Sequence, residues 1–265
     1  MAAGEAAGTK GSLSTSPVVI RMCHELDEMH ACVTLQRDVW NFADAELVPL
    51  RLFVVAEKIG GQVVGAFSGS DLVGFGLAIP GFRNRHAYLH SQMVGVRKDH
   101  RDGGLGRRIK FFQREDALAR GFELIEWTFD PLEIKNSYFN LEKLGAITRR
   151  YHLNQYGVTS SPLHGGLPSD RLVAEWWLKS KRVIVAEREG ARQSFSPERR
   201  ISVPAHIYDW KAASDTRQQA LEVQVQNSEV FLKAFQEGLT ALGYERDGQG
   251  NGTFLLGHWE EAWKY

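Results

Sequence analysis

The sequence predicts a mixed α/β (α+β) protein that has a central sheet of about seven strands and a smaller C-terminal α/β extension. Short segments rich in β-branched and aromatic residues, such as 123–129, alternate with segments whose apolar residues recur at helical spacing, such as 105–112. After Lys179 the composition shifts, and a second, smaller group of such segments follows. The predicted parts are a flexible leader at 1–16, a main domain at 17–180 and an extension at 181–265.

The first half of the main domain is predicted to hold four strands and two helices. Pro17 ends a leader rich in Ala, Gly, Ser and Thr, and the first strand follows it. A short turn of Gly, Ser and Asp joins the second and third strands into a hairpin. The predicted strands are 18–24, 62–67, 72–79 and 87–96, and the predicted helices are 25–40 and 45–58.

A glycine-rich turn follows the fourth predicted strand. Beyond the turn, Leu105, Ile109 and Phe112 recur at i, i+4 and i+7, which predicts a helix that packs one face on the sheet. Glycine lets the backbone approach a ligand closely, and the first amide groups of a helix have no partner within the helix. The helix dipole also favours negative charge at this end. The turn therefore predicts an anion-binding site.

The remaining segments complete the predicted sheet and form the extension. A helix at 133–144 is closed by Gly145, and a loop at 157–170 is long enough to be functional. In the extension, Asp215 and Gln218 predict a capping box at the start of a long helix. The predicted strands are 123–129, 147–156 and 171–178 in the main domain and 183–186, 201–210 and 252–259 in the extension, where the long helix covers 215–242.

The overall composition indicates which kinds of partner and which cellular compartment to expect. The chain has 32 basic and 32 acidic residues, so the charge excess that favours nucleic acid or a membrane surface is missing, and we expect neither partner. Cys23 and Cys32 are too few for a disulfide framework or a zinc site, and we expect two small buried side chains in a cytoplasmic protein.

Two common phosphate-binding motifs do not fit the glycine turn. A Walker loop needs Gly-Lys followed by Ser or Thr, whereas Gly104 is followed by Leu-Gly-Arg-Arg. A dinucleotide fingerprint needs a third glycine, and Ile109 occupies that position.

The order of the elements and the turn resemble the Gcn5-related N-acetyltransferase (GNAT) superfamily over about 18–178. In the family a proline usually lies two residues after the valine that corresponds to Val96, and Lys98 occupies that position here. Segments 127–132, 136–146 and 166–172 are similar to a bacterial subgroup of acyltransferases with a C-terminal extension, some of which are linked with N-succinylation of amino acids by succinyl-CoA. The family signature, a valine five residues before the arginine of R-x-x-G-x-G, is matched by Val96, Arg101, Gly104 and Gly106.

The resemblance implies a GNAT fold whose sheet splays between strands 4 and 5, and acetyl-CoA or another acyl-CoA as the donor, without a metal. The pyrophosphate is expected on backbone amides of 101–106, with Arg107, Arg108 or Lys110 near the outer phosphate, and the pantetheine arm is expected along 93–96. The cofactor-binding residues expected on this basis are Met93, Val94, Val96, Arg101, Gly103, Gly104, Leu105, Gly106, Arg107 and Asn136.

Acyl transfer to an amine requires that the ammonium lose a proton and that the departing thiolate gain one. Glu126, in the middle of the fifth strand, and His90, on the fourth, are the candidate bases. Many relatives have a tyrosine that acts as the acid at the position of Leu141. Tyr138, three residues earlier, is therefore the substitute candidate for the acid. CoA thiolate is a fair leaving group, and the reaction can also proceed without a dedicated acid.

The expected acceptor is a small-molecule amine such as an amino acid. Arg171 and Asp130 are the candidate acceptor-binding residues, and Arg149 and Arg150 are further cations that could bind a carboxylate. A protein amine as acceptor, or a non-catalytic CoA-binding module, are the alternatives. The extension could cap the acceptor site, form a homodimer or only stabilise the sheet.

Overall fold

The computed structural model describes residues 17–157, 165–189 and 195–259. Outside the described residues lie the predicted leader at 1–16, residues 158–164 of the predicted 157–170 loop, residues 190–194 and the last six residues.

A seven-stranded mixed sheet forms the main body, as the sequence predicted. The strands have the order β1-β2-β3-β4-β5-β7-β6. β4 and β5 are parallel, and the other neighbouring pairs are antiparallel. The bounds are β1 Val18–Met22, β2 Gln62–Ser68, β3 Asp71–Arg83, β4 His86–Val96, β5 Leu124–Phe129, β6 Tyr151–His152 and β7 Arg171–Trp177.

Helices cover both faces of this sheet because its strands are apolar on both sides. On one face, Phe53 of α2 packs with Phe75 and Leu77 of β3. On the other face, Ile109 of α3 packs against Val64 of β2. The helices are α1 Leu26–Trp40, α2 Leu50–Lys58, α3 Leu105–Ala119 and α4 Ile134–Tyr138, and α4 continues as a π-helical turn, Phe139–Lys143.

The predicted splay between the fourth and fifth strands is present. β4 and β5 pair only at Leu89 with Ile125 and at His90 with Glu126. Beyond these two rungs the strands diverge, which opens the sheet toward α3 and α4.

The extension contains a second sheet of three strands, with the order β8-β10-β9. A bridge between Thr148 and Ala241 links it to the main domain, and the ring of Tyr151 stacks on Phe231 at 5.6 Å. Buried residues from both parts share one hydrophobic cluster. The bounds are α5 Lys181–Glu189, β8 Arg199–Val203, α6 Ile207–Ala212, α7 Arg217–Gln236, β9 Thr240–Arg246 and β10 Gly252–Gly257.

Several predicted elements of the extension were wrong. The segment at 183–186 is part of α5, in which the buried Val183 and Ala186 lie three residues apart on one helical face. The segment at 201–210 divides into β8 and α6. The long helix ends at Gln236, and Gly238 has a φ of +84°, so that the chain turns into β9.

Two smaller predictions also differ from the structure. α7 has Thr216 at its N-cap, without a capping side-chain hydrogen bond, so the Asp215 capping box is absent. The sixth strand is shorter than 147–156, because regular pairing is confined to Tyr151–His152 with an isolated bridge at Ile147. Within the described parts of the chain, no helix is both long and apolar enough to cross a bilayer.

Candidate active site

A cavity of about 800 Å³ lies where β4 and β5 diverge. This volume is within the range of small-molecule and cofactor sites. Its walls include the end of α1, the splayed part of β4, the start of α3, the end of β5 and the α4 region. Arg171 at the start of β7 and Tyr156 also line it.

The splayed part of β4 offers backbone groups to this cavity. β3 pairs with one edge of β4, with a bulge at Gln92 between the rungs Leu77–Met93 and Ala78–Ser91. β5 leaves the other edge after His90, so the polar groups of that edge face the opening. Met93, Val94 and Val96, which were expected to contact the donor, line the cavity.

The glycine turn lies at one end of the cavity. Gly104 has a φ of +76° and is the N-cap of α3, without a capping side-chain hydrogen bond. A Cβ added at Gly103 or Gly104 would meet nothing within 4 Å, and one at Gly106 would meet only Val96 Cγ2 at 3.8 Å. The backbone of the turn is therefore open on its outer side, and the first amides of α3 are without helical partners.

The guanidinium groups near the turn have structural contacts. Arg101 donates to the carbonyls of Val96 and Val39, at 2.9 and 3.1 Å. Arg107 donates to two carbonyls of α5, at 2.7 and 2.9 Å, and Arg108 donates to Val18 O at 2.8 Å. Arg101 and Gly106 line the cavity, whereas Leu105 is buried in the core beneath α3. Backbone amides, more than these side chains, are available for an anion.

Lys110 lies at the closed end of the cavity and not at its outer end, where the sequence had placed it. Its side chain is buried, and Nζ donates to Ser91 Oγ at 3.0 Å. Nζ is also 3.6 Å from the ring centroid of Trp127. Burial lowers the pKa of Lys110 to about 7. The sequence analysis did not predict that Lys110 is buried. A signal was present, because Lys110 shares a helical face with Gly106 and Ala117, whose small side chains indicate a buried face.

Asn140 is the second wall residue that the sequence did not single out. It is 2% exposed, and its Oδ1 accepts a hydrogen bond from Trp127 Nε1 at 3.3 Å. Its Nδ2 has no partner among the described residues. Asn140 belongs to the π-helical turn, a feature that is frequent at functional sites.

Asn136 lines the cavity, as expected, but Tyr138 does not. The guanidinium of Arg246 lies 4.2 Å from the centroid of the Tyr138 ring, and Lys143 Nζ lies 5.5 Å from it. This placement gives no support to Tyr138 as the proton donor. Leu141, at the usual position of the tyrosine, is buried in the core.

Glu126 is buried in an ion-pair network. Its carboxylate accepts two hydrogen bonds from Arg83, at 2.9 and 2.6 Å, and another from Arg150. Arg150 and Arg149 also bind Glu175, which lies opposite Glu126 on β7. Guanidinium donors therefore surround the carboxylate of Glu126, which was one of the two candidate bases.

His90 forms the last rung between β4 and β5, opposite Glu126. Its side chain is half-buried. Burial lowers the pKa of His90, and Lys110 lowers it further against the opposing effect of Glu126. The imidazole is therefore neutral at neutral pH and can accept a proton.

The two candidate acceptor-binding residues are separated in the structure. Arg171 lines the cavity, where its Nη1 donates to Asp170 O at 2.8 Å and its guanidinium lies 5.4 Å from the Tyr156 ring centroid. Asp130 instead caps the turn after β5 through Leu132 N and accepts a hydrogen bond from Lys211 of the extension at 3.1 Å. Asp130 thus joins the two parts of the chain.

Solved structures provide the comparison with known proteins. A proposed acetyltransferase from Salmonella typhimurium, whose structure contains its cofactor acetyl-CoA, matches with a TM-score of 0.50. A proposed GNAT-family acetyltransferase from Desulfovibrio desulfuricans and an N-acetyltransferase from Staphylococcus aureus Mu50 match with a TM-score of 0.51. Each is 15% identical, and the matches cover 61–62% of this chain and 95–100% of the solved chains.

No family model matches the sequence, and no curated protein matches it either. The likeness therefore concerns the three-dimensional structure. The seven-stranded sheet, its splay between β4 and β5 and the flanking helices give this chain the fold of the GNAT acetyltransferases, as the resemblance implied.

Proposed function

We propose that the chain is a member of the GNAT superfamily and an acyl-CoA-dependent N-acyltransferase. It moves an acetyl, succinyl or related acyl group to the amine of a small molecule such as an amino acid. The observation that carries the proposal is one continuous cavity, which runs from the glycine turn to the last rung between β4 and β5. This shape suits a donor with an anionic end and a long neutral arm.

The glycine turn and the free edge of β4 suit two parts of coenzyme A. The open backbone at Gly103, Gly104 and Gly106 accommodates the pyrophosphate next to the start of α3. The free edge of β4 can exchange hydrogen bonds with the amide groups of the pantetheine arm. The thioester then lies near the bulge at Gln92.

The amine attacks the thioester carbonyl directly within a ternary complex. A cysteine intermediate has no support, because Cys23 and Cys32 are fully buried. Hydrogen bonding to Cys23 and burial raise the pKa of Cys32, which keeps it a thiol. Nitrogen forms the new bond to the acyl carbon, and the carbon–sulfur bond then breaks to release CoA thiolate.

His90 is the proposed proton acceptor. It is neutral, and it lies on the rung at which the cavity closes. Glu126 faces it across that rung and holds the arginines Arg83 and Arg150. The thiolate leaves without a dedicated acid in this scheme.

A thiol-release assay tests the proposal. Purified protein is mixed with acetyl-, succinyl- or butyryl-CoA and a panel of L- and D-amino acids, amines and peptides. Release of CoA that depends on a small amine supports the proposal. Binding of acyl-CoA without turnover on any acceptor would favour a non-catalytic CoA-binding module, and turnover on peptides alone would favour a protein amine.

A further inference from the structure

The Lys110 side chain carries a buried cationic group that no described residue neutralises. It is 3% exposed, and its hydrogen bond goes to a neutral hydroxyl, Ser91 Oγ. The described residues form no ion pair with it, in contrast to the buried Lys211, which binds both Asp130 and Glu133. Lysine is almost never fully buried unless it is paired.

The aromatic ring beside Lys110 replaces only part of the lost hydration. Trp127 lies 3.6 Å from Nζ and Trp176 lies 5.4 Å from it. A cation–π contact stabilises an ammonium less than water or a carboxylate does. The lowered pKa of Lys110, about 7, follows from this incomplete compensation.

A buried donor without a hydrogen-bond partner among the described residues lies on the same wall. Asn140 contacts Trp127 through Oδ1, and its Nδ2 is buried without a hydrogen-bond acceptor. Ser91 Oγ accepts a hydrogen bond from Lys110, and its hydroxyl can still donate a hydrogen bond to a ligand. Three groups around Trp127 thus offer donors to the cavity, and one of them carries positive charge.

We propose that Lys110, Ser91 and Asn140 bind a carboxylate of a ligand in this cavity. The identity of the cavity as an acyl-CoA site rests on the proposed function. A single ammonium matches the single negative charge of a carboxylate. A phosphate monoester carries close to two negative charges at neutral pH, roughly twice what one ammonium neutralises. The carboxylate can belong to the end of the donor's acyl chain or to the acceptor.

Other charged groups near the site are engaged elsewhere or lie farther along the cavity. Glu46, Arg101 and Arg171 line the same cavity, and His90 lies on the adjoining rung. Glu126, on the neighbouring strand, is bound by arginines. Lys110 is therefore the group next to Trp127 whose charge changes near neutral pH.

Two roles of Lys110 predict opposite effects of pH. If its ammonium binds a carboxylate, the affinity for that ligand is highest below pH 7 and falls as pH rises, because the free protein then holds a neutral amine. If its neutral amine instead removes a proton from the acceptor, kcat/KM rises through the same pH range for every donor.

Calorimetric titration with succinyl-CoA and butyryl-CoA tests whether the donor supplies the carboxylate. These probes have acyl chains of equal carbon number and differ in the terminal carboxylate. We expect the wild-type protein to bind succinyl-CoA at least about tenfold more tightly at pH 6.5 and Lys110→Met to remove this preference. Lys58→Met, an exposed lysine on α2, is the matched control and should keep it.

The thiol-release assay tests whether the acceptor supplies the carboxylate. It compares phenylalanine with 2-phenylethylamine, the amine that lacks the carboxylate of phenylalanine. Lys110→Met should lower kcat/KM at least about tenfold for phenylalanine alone if the acceptor supplies the carboxylate.

Specific outcomes overturn the inference. Equal losses for charged and uncharged ligands, or no effect of Lys110→Met in either arm, exclude carboxylate binding even when acyl-CoA binds and reacts. A rise of kcat/KM with pH for all donors, abolished by Lys110→Met, would make Lys110 the base instead. If the wild-type protein binds no acyl-CoA at all, the proposed function fails as well.

Discussion

Glu126 and Glu175 lie directly opposite each other on β5 and β7, and the guanidinium of Arg150 bridges their carboxylates. Like charges at such cross-strand positions are destabilising unless cations separate them. Arg83 and Arg149 complete the network, so three cations surround two buried anions. The network ties the β3–β4 hairpin to the second half of the sheet, next to His90.

This network predicts a structural effect for Glu126→Gln. The amide cannot accept all the guanidinium donors, and the substitution removes the negative charge that both Arg83 and Arg150 bind. We expect the free energy of unfolding to fall by about 1–3 kcal/mol, because the arginines remain partly hydrated. Urea denaturation measures this change, with Glu115→Gln on the exposed side of α3 as the control. A large drop in kcat at unchanged stability would instead support Glu126 as the base.

The proposed base predicts a specific dependence on pH. Burial holds the pKa of His90 below its ordinary value of 6.5, so the imidazole loses its proton at a lower pH than an exposed histidine does. We expect the rise of kcat/KM for acetyl-CoA with pH to have its midpoint below pH 6.5, and His90→Gln to lower the plateau above it by about 10²-fold or more. Steady-state rates from pH 5 to 8 measure this, and an unchanged plateau in the variant would exclude His90.

The buried lysine predicts that Lys110→Met makes the ligand-free protein more stable. The pKa of Lys110 falls from 10.5 to about 7 on folding, which corresponds to up to about 5 kcal/mol of lost stability. The unfolded chain binds the proton more tightly, so the loss is complete below pH 7 and fades as pH rises toward 10.5. Melting temperatures at pH 6, 7.5 and 9 should show a gain for the variant that narrows with pH. A gain independent of pH would show that the ammonium is well solvated.

Tyr138 and Asn140 predict different results although they belong to one helical segment. Tyr138→Phe should change kcat less than about twofold, because its ring packs against Arg246 outside the cavity. Asn140→Leu should lower activity by about tenfold, since it removes the Nδ2 donor and leaves Trp127 Nε1 unpaired. Thiol release measures both, and a severe loss in Tyr138→Phe alone would restore the phenol as the proton donor.

The main sheet was predictable because its signals are local. Gly104 and Gly106 mark the start of α3, Gly145 has the positive φ of a helix-closing residue, and the apolar runs of β2 to β5 stand out in the sequence. In the extension the same local signals misled. Leu239 and Leu242 continue the helical spacing of α7, but they lie beyond the turn at Gly238.

The candidate site was only partly predictable. The open backbone at the start of α3 follows from the glycine motif, but the states of Lys110 and Glu126 depend on distant residues. Trp127 and Trp176 bury Lys110, and Arg83 and Arg150 neutralise Glu126, although they lie far from these residues in sequence. Local sequence patterns carry no information about such pairings.

The central claim is that coenzyme A binds at the glycine turn, and Gly106→Val tests it. A side chain at this position would project into the open space over the backbone, with Val96 Cγ2 at 3.8 Å as its nearest neighbour, so the fold should persist. Gly248→Val is the control, because it also has open space around an added Cβ but lies between β9 and β10.

Calorimetric titration with coenzyme A is the most direct measurement. We expect micromolar binding to the wild-type protein and to Gly248→Val, and a loss of at least about 100-fold for Gly106→Val with an unchanged circular dichroism spectrum. Absence of binding to the wild-type protein, or equal affinity for all three, would contradict the account.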